Sequence, residues 1–302
     1  MRSTGSSSYS LHGLLDYLTI TKPAIASLNV FVGLATMLLA VGLHIVTVDS
    51  ALLLGLAGFL SAAGAGALNC FLERRLDSEM NRTRQRPLPA GRLSANHALS
   101  FGLALSVGGV ALAAFFLNVL TASFMALGVF WYVLVYTLWL KPRTKWNIVI
   151  GGAAGSFSAL AGWAAVTGTI SLVALLVALL IFLWTPGHFW GLAIAKSEEY
   201  AKVHVPMLPV VNGIRTSAIY TALSNIALFP FTVGLFLLTA SRGNVWVFLI
   251  LGGALVLFNA RFLIANLRLI RKPTSMGAWH VFKMSISYLF VVLLLVVVAH
   301  LI

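Results

Sequence analysis

Long apolar runs separated by short polar segments dominate the chain. Nine runs reach about 20 residues, the length that an α-helix needs to cross a bilayer. The pattern therefore predicts an all-α integral membrane protein with nine transmembrane helices. They lie at roughly 24–43, 51–72, 96–116, 119–140, 148–167, 171–195, 217–239, 244–266 and 280–301, with boundaries uncertain by about three residues.

Residues 1–23 precede the first run and are mostly polar. The sequence thus predicts a polar cytoplasmic N-terminal segment over 1–23 and one nine-helix transmembrane domain over 24–302. Apolar residues make up 60% of the chain and charged residues only 9%, whereas a soluble domain carries about 25% charge.

The basic residues are distributed unevenly across the predicted membrane. Nineteen of the 20 Lys and Arg residues fall on the side that holds the N-terminus, and only Arg242 falls on the other. Because cytoplasmic loops concentrate Lys and Arg, we expect the N-terminal side to face the cytoplasm. Topology therefore accounts for the net charge of +13, and we expect no nucleic-acid partner.

A row of polar side chains stands at the end of the second predicted helix. Asn69, Glu73 and Asp77 are spaced by four, so all three share one helix face. Oxygen-bearing side chains suit Mg²⁺, which takes one or two carboxylates and shares its other positions with water and substrate phosphates. The row therefore indicates a magnesium site.

Arginines follow this row at Arg82, Arg84 and Arg86. Their guanidinium groups match phosphate oxygens with two parallel hydrogen bonds, so they can neutralise a diphosphate. The alternative is a solvated cytoplasmic loop that is stabilised by local ion pairs.

Two further segments on the N-terminal side carry complementary chemistry. Glu198 and Glu199 follow the sixth predicted helix and could supply a second Mg²⁺ site facing the first. The segment LKPRTKWN adds Lys141, Arg143 and Asn147. Three such segments on one side favour a shared site over surface solvation.

Five segments carry recognisable motifs: NCFLERRLDSEMNRTRQRPLPAG, YTLWLKPRTKWN with the glycine-rich helix after it, WTPGHFWGLAI, YAKVHVPMLPVVNG and the early TKP. The first resembles N-x-x-x-D-x-x-x-D followed by M-x-R-T-x-x-R-P, the pattern of the UbiA-type intramembrane prenyltransferases. The other segments resemble the branch of that family that farnesylates haem. The resemblance covers roughly residues 18–292.

This resemblance implies a nine-helix bundle in the bacterial cytoplasmic (inner) membrane, with its active-site loops in the cytoplasm. It implies farnesyl diphosphate and haem B as substrates, haem O and diphosphate as products, and Mg²⁺ as cofactor. The partners it implies are the lipid bilayer and a link to haem A synthase or terminal oxidase assembly.

The resemblance also implies roles for individual residues. The catalytic set is Asn69, Glu73, Asp77, Arg86, Lys141 and Arg143. The substrate-binding set is His188, Lys196, Glu199, Tyr200 and Asn147, and the metal ligands are Asn69, Glu73, Asp77, Glu198 and Glu199. This chain departs from the family pattern by having Glu73, Glu198 and Glu199 in place of aspartates and Pro142 in a usually basic pair.

His188 lies inside the sixth predicted helix. Ionisable residues within membranes are rare and tend to be functional, and imidazole is a common ligand of haem iron. The alternative is a hydrogen bond to another helix. His204, in the following loop, is a weaker candidate.

Two other functions remain open from the residues alone. A prenyltransferase acting on a quinone or chlorophyll precursor would need the same metal loops. A transporter could use the acids as an ion path, but transporter sites lie near the bilayer midplane at broken helices, and these acids lie at helix ends.

Overall fold

The computed structural model describes residues 6–41, 46–241 and 243–302, with side chains described from residue 13 onward. Arg242, the basic residue expected on the far side of the membrane, lies outside the described residues. The regular structure in this part of the chain is helical. The helices are α1 (Ser6–Ile20), α2 (Pro23–Val41), α3 (Val48–Glu79), α4 (Ala95–Phe116), α5 (Val119–Leu140), α6 (Asn147–Gly151), α7 (Ala153–Thr167), α8 (Leu172–Ala195), α9 (Ser197–Lys202), α10 (Leu208–Asn212), α11 (Ile214–Thr239), α12 (Val245–Arg271) and α13 (Ser275–Leu301).

The predicted membrane spans are confirmed. Within the described residues, nine helical segments are long and apolar enough to cross a membrane, and each overlaps one of the nine predicted runs. Helices α6 and α7 together form one of these segments, over Asn147–Thr167. The chain is therefore an integral membrane protein that crosses the bilayer several times.

Some helices continue past the predicted ends of their apolar runs. Helix α3 extends to Glu79 instead of ending near residue 72, α12 extends to Arg271, and α13 already begins at Ser275. Hydropathy marks where a helix leaves the lipid, whereas charged residues outside the lipid can continue the same hydrogen-bonded helix. The segment expected to be a loop from residue 73 is therefore helical for its first seven residues.

Helix α1 was not predicted, because its serine-rich beginning hides it in a polar N-terminal segment. It is anchored where Arg92 Nε donates to both Asp16 carboxylate oxygens, at 3.1 and 3.2 Å. The Tyr17 and Phe101 rings also meet edge to face, with centroids 4.8 Å apart. These contacts fix α1 against the ends of the transmembrane helices.

The two largest hydrophobic cores among the described residues share helices α2 and α7. One core also involves α3, α4 and α5, and the other involves α8, α11, α12 and α13. A third, smaller apolar cluster contains Met80, Ile148, Trp190, Tyr200 and Met207. This cluster packs α6, α8 and the polar segments of the N-terminal side together, so it supports the site described below.

Helices α2 and α7 approach each other closely at Gly162. A Cβ atom on Gly162 would overlap the backbone carbonyl of Gly33. The two backbones can touch because Gly162 lacks a side chain, as is typical of small residues at membrane helix interfaces.

We expect Gly162→Ala to destabilise the protein, because the added methyl group must separate the two helices on which both cores depend. Overpacking of this kind costs about 1–3 kcal/mol. The thermal unfolding midpoint in detergent should fall. Gly234→Ala is the matched control, since a Cβ atom at Gly234 meets nothing within 4 Å. An unchanged midpoint for Gly162→Ala would contradict the close contact.

Candidate active site

The polar row lies near the C-terminal end of α3, at the same end of the bundle as the loops of the N-terminal side. With 32 residues, α3 is about 48 Å long at 1.5 Å per residue, which exceeds a hydrocarbon core of about 30 Å. Asn69 and Asp77 are each 2% exposed, and the Glu73 side chain is 11% exposed. The row is therefore buried by protein and is not a solvated face.

Each side chain of the row contacts a basic side chain from outside α3. Asn69 Oδ1 accepts a hydrogen bond from Lys22 Nζ. Glu73 Oε1 forms an ion pair with Lys141 Nζ, and Asp77 Oδ2 forms one with Arg86 Nη1 at 2.8 Å. These six side chains are called the charge cluster below: Lys22, Asn69, Glu73, Asp77, Arg86 and Lys141.

The charge cluster carries three positive charges and two negative ones. Burial by itself disfavours the Lys141 ammonium, but the charges and the hydrogen bond around it, those of the Glu73 carboxylate foremost, together raise the pKa of Lys141 above its ordinary value. Burial also opposes the Arg86 guanidinium, yet its surroundings, chiefly Asp77, raise the pKa of Arg86. The pKa of Lys22 is raised as well, although burial opposes its charge, so all three cations stay charged at neutral pH, and the surplus of one positive charge favours an anionic ligand.

An unusual helix turns the second half of α5 toward the charge cluster. Residues Trp131–Leu140 form a π-helix, in which hydrogen bonds join residues five apart. Nine residues make about two and a half turns of an α-helix, so Tyr132 and Lys141 would point in opposite directions. The wider π turns bring both to the same face, where Tyr132 accepts from Lys22 at 3.3 Å and Lys141 reaches Glu73.

Residues between these two positions complete that face. Thr137 accepts a hydrogen bond from Asn69 Nδ2 at 2.9 Å, which orients the Asn69 amide with its oxygen toward Lys22. The Tyr136 ring stacks on Tyr132, with centroids 5.8 Å apart. Gly151 allows this packing, since a Cβ atom there would overlap the Tyr136 ring.

The loop after α3 is held over the charge cluster by its own hydrogen bonds. Thr83 is fully buried and its hydroxyl donates to the Asp77 carbonyl oxygen at 3.0 Å. The Arg82 backbone N–H donates to Glu199 Oε2 at 3.3 Å, and Lys196 Nζ lies 3.1 Å from Glu199 Oε1. The second acidic segment is thus in direct contact with the first.

The remaining predicted residues differ in their burial and in their contacts. Glu198 is exposed, whereas Tyr200 is buried in the apolar cluster beneath the loops. Arg143 is exposed and donates to the carbonyl oxygens of Leu138 and Trp139, both at 3.0 Å. Arg143 therefore caps its own helix here, and its catalytic role stays a prediction.

Asn147 is fully buried at the start of α6, and its amide nitrogen donates to the Thr144 carbonyl oxygen at 2.6 Å. Its Oδ1 atom is buried without a hydrogen-bond partner in the described part of the chain. An orphaned acceptor of this kind is rare in folded proteins.

Four residues at the site had no predicted role: Lys22, Thr83, Tyr132 and Thr137. Lys22 could have been recognised as a site residue from the sequence, since the TKP segment that contains it is part of the resemblance. Thr83 lies within the M-x-R-T-x-x-R-P pattern. Nothing in the sequence marked Tyr132 and Thr137, because their shared face depends on the π-helix.

The donor set of α3 fits a divalent cation. It offers one amide oxygen and two carboxylates, which is the number of acids that Mg²⁺ usually takes when phosphates and water complete its shell. No group of three His, Cys, Asp or Glu residues converges within the described residues.

His188 lies away from the charge cluster, on α8, and is 7% exposed. Its Nδ1 atom is 2.6 Å from Ser285 Oγ on α13. His204 is exposed and has a left-handed backbone with φ of 53°. Of the two histidines, only His188 is therefore buried within the bundle.

Comparisons with known proteins identify a family and several similar chains. The sequence matches the UbiA prenyltransferase family over residues 29–294. The chain is 39% identical to protoheme IX farnesyltransferase 1 of Cenarchaeum symbiosum, over 93% of this chain and 94% of that one. It is 42% identical to protoheme IX farnesyltransferase of Symbiobacterium thermophilum, over 92% of each chain. It is 40% identical to that of Roseiflexus castenholzii over 91% of its own length, but spans only about half (50%) of that relative.

Solved structures share the fold at lower sequence identity. A digeranylgeranylglyceryl phosphate synthase has a TM-score of 0.72 and 19% identity, over 96% of this chain and 99% of that one. A UbiA homologue of Archaeoglobus fulgidus, solved with DMAPP and Mg²⁺ bound, has a TM-score of 0.69 and 17% identity, over 92% of this chain and 99% of that one.

We expect Lys22→Met to weaken the binding of inorganic diphosphate in the presence of Mg²⁺ by about 10- to 100-fold, since it removes one charge-assisted hydrogen bond. Isothermal titration calorimetry on the detergent-solubilised protein measures this. Lys145→Met is the matched control, because Lys145 lies over the Trp146 ring, outside the charge cluster. Equal losses in both variants would show that only overall charge matters.

Proposed function

The chain belongs to the UbiA prenyltransferase family, and we propose that it transfers the farnesyl group of farnesyl diphosphate to a vinyl group of haem B. The products are haem O and diphosphate. In this reaction the C–O bond to diphosphate breaks and a C–C bond to the vinyl group forms. Water adds its hydroxyl group to the resulting cation and releases a proton.

The acceptor is proposed from the relatives. The proteins of Cenarchaeum symbiosum and Symbiobacterium thermophilum match this chain over more than nine tenths of both lengths, and both are named protoheme IX farnesyltransferases. The charge cluster is the observation that supports farnesyl diphosphate as the prenyl donor. It combines oxygen ligands for a metal with a surplus of positive charge, which is what a metal-bound diphosphate requires.

We propose Asn69, Glu73 and Asp77 as the ligands of one Mg²⁺, with Glu199 and Glu198 contributing to a second. Bound there, Mg²⁺ supplies electrostatic stabilisation of the departing diphosphate. The contact between Glu199 and the Arg82 backbone supports a second acidic contribution near the first. Glu198 is the weaker ligand, since it is exposed.

The basic side chains of the charge cluster bind the diphosphate in this proposal. Lys22, Arg86 and Lys141 approach the polar row from three different segments, so they surround any anion held there. Positive charge placed where negative charge develops is usually the largest contribution to catalysis. Arg143 joins them only if it leaves the carbonyls that it caps.

The proposed substrate-binding residues line the adjoining segments. Lys196 holds Glu199 in place, and Tyr200 packs beneath the loop. Asn147 offers its unpaired Oδ1. His188 is the proposed contact to the haem, and the surrounding bilayer keeps the farnesyl chain and the allylic cation away from bulk water.

The proposed location is the bacterial cytoplasmic membrane, with the charge cluster on the cytoplasmic side. The excess of basic residues on the N-terminal side supports this orientation. The product is proposed to pass to haem A synthase or to terminal oxidase assembly.

Purified protein supplied with haem B, farnesyl diphosphate and Mg²⁺ should form a product with the mass of haem O, detected by chromatography and mass spectrometry. EDTA should abolish the product, and added Mg²⁺ should restore it. No product from folded protein that binds farnesyl diphosphate would overturn the haem assignment and point to another acceptor, such as a quinone precursor.

Asp77→Ala should abolish turnover, because it removes a metal ligand and leaves Arg86 without its partner. Glu79→Ala is the matched control, since Glu79 is an exposed acid on the same helix end and should keep full activity. The same assay measures both variants. Activity of Asp77→Ala at the level of Glu79→Ala would remove Asp77 from the metal site.

A further inference from the structure

The His188 ring is held between two aromatic rings. Trp184 stacks on one side, with centroids 4.3 Å apart and planes 15° apart, and Phe282 is stacked at 4.6 Å and 25°. Trp184 lies one helical turn before His188 on α8, whereas Phe282 comes from α13. The Phe189 ring also meets the imidazole, at 4.9 Å and 75°, so a ligand can approach His188 only through the part of its edge that these rings leave free.

One edge nitrogen is used by Ser285. The Ser285 hydroxyl donates to the Phe282 carbonyl oxygen at 2.7 Å, and a hydroxyl group has only one hydrogen to donate. With the hydroxyl hydrogen directed to Phe282, the contact of 2.6 Å between Ser285 Oγ and His188 Nδ1 is assigned to the N–H of the ring. In a neutral imidazole, this places the proton on Nδ1 and leaves the lone pair on Nε2.

Ser285 also orients Trp184, one of the rings stacked on His188. Its carbonyl oxygen accepts a hydrogen bond from Trp184 Nε1 at 2.9 Å. Trp184 therefore has no donor left for His188, and the Phe282 side chain carries no polar atom. A single, fully buried residue of α13 thus orients both His188 and the ring beside it.

We propose that Ser285 is a positioning residue that holds His188 in the Nδ1–H tautomer and presents Nε2 as an axial ligand to haem iron. The inference rests on the proposed function for the identity of the acceptor. Histidines that bind metals almost always donate their other N–H to a fixed acceptor, which sets the ring orientation and raises the basicity of the ligand. In this protein, Ser285 is the fixed acceptor of the Nδ1–H, and it sets the orientation of the His188 ring.

The alternative is a hydrogen bond that merely joins α8 to α13. Such a bond needs no particular tautomer, no free nitrogen and no stacking on either side of the ring. Substitutions at Ser285 separate the two interpretations, because a purely structural bond affects stability but leaves the electronic properties of bound iron unchanged.

The test uses the full chain in phosphatidylcholine–phosphatidylglycerol nanodiscs, with haemin as the probe. Titration followed by Soret absorbance gives the affinity, and resonance Raman spectroscopy of the reduced complex gives the iron–histidine stretch. We expect His188→Ala to lose that stretch. We expect Ser285→Ala to bind haemin about 10- to 100-fold more weakly and to shift the stretch to lower frequency, whereas Ser285→Thr restores both.

Ser287→Ala is the matched control, since Ser287 lies two residues further along α13 and is exposed. Its affinity and stretch should equal those of the wild type. An unchanged affinity and stretch in Ser285→Ala would overturn the role of Ser285. An iron–histidine stretch that persists in His188→Ala would overturn the ligand assignment.

Product analysis separates this inference from the proposed function. Haem O formed by a wild-type protein whose Ser285→Ala variant has unchanged spectra would refute the inference and retain the function. A histidine-ligated haemin complex that is sensitive to Ser285 but yields no farnesylated product would refute the function and support the site.

Discussion

The active end of this protein depends on the pairing of charges that are buried together at the end of α3. A buried charge that loses its partner costs several kcal/mol, so the buried Glu73 and Asp77 carboxylates depend on their ion pairs with Lys141 and Arg86. Each partner comes from a different segment of the chain. The pairing therefore determines where the loop after α3 and the end of α5 must lie, and Lys22 adds the segment before α2.

Sequence reasoning predicted the elements that follow from local pattern. The nine spans follow from apolar length, and the row on α3 follows from residues spaced by four on one helix. The loops of the N-terminal side are predicted to lie at one end of the bundle, because two spans separate each of them from the next. These features depend on short stretches of chain, which is why hydropathy and helical periodicity suffice to find them.

The features that sequence reasoning missed depend on contacts between distant segments. The π-helix of α5 brings Tyr132 and Lys141 to one face, but its apolar sequence fits an ordinary α-helix equally well. Arg143 could not be distinguished from Lys141 by composition, although one caps a helix and the other enters the charge cluster. Helix α1 is stabilised by Arg92 and Phe101, which lie far along the chain.

The proposed ligand can replace the contacts that the side chains of the charge cluster make with one another. A diphosphate that arrives with a divalent cation brings negative charge for Lys22, Arg86 and Lys141 and positive charge for Glu73 and Asp77. In the structure, Glu73 and Asp77 each have a basic partner, whereas Lys22 contacts the neutral Asn69 amide oxygen and the Tyr132 hydroxyl. A diphosphate with its cation would give Lys22 a negative partner while the cation meets the carboxylates, which keeps buried charges paired. The charge pairing is thus compatible with the proposed metal and diphosphate together.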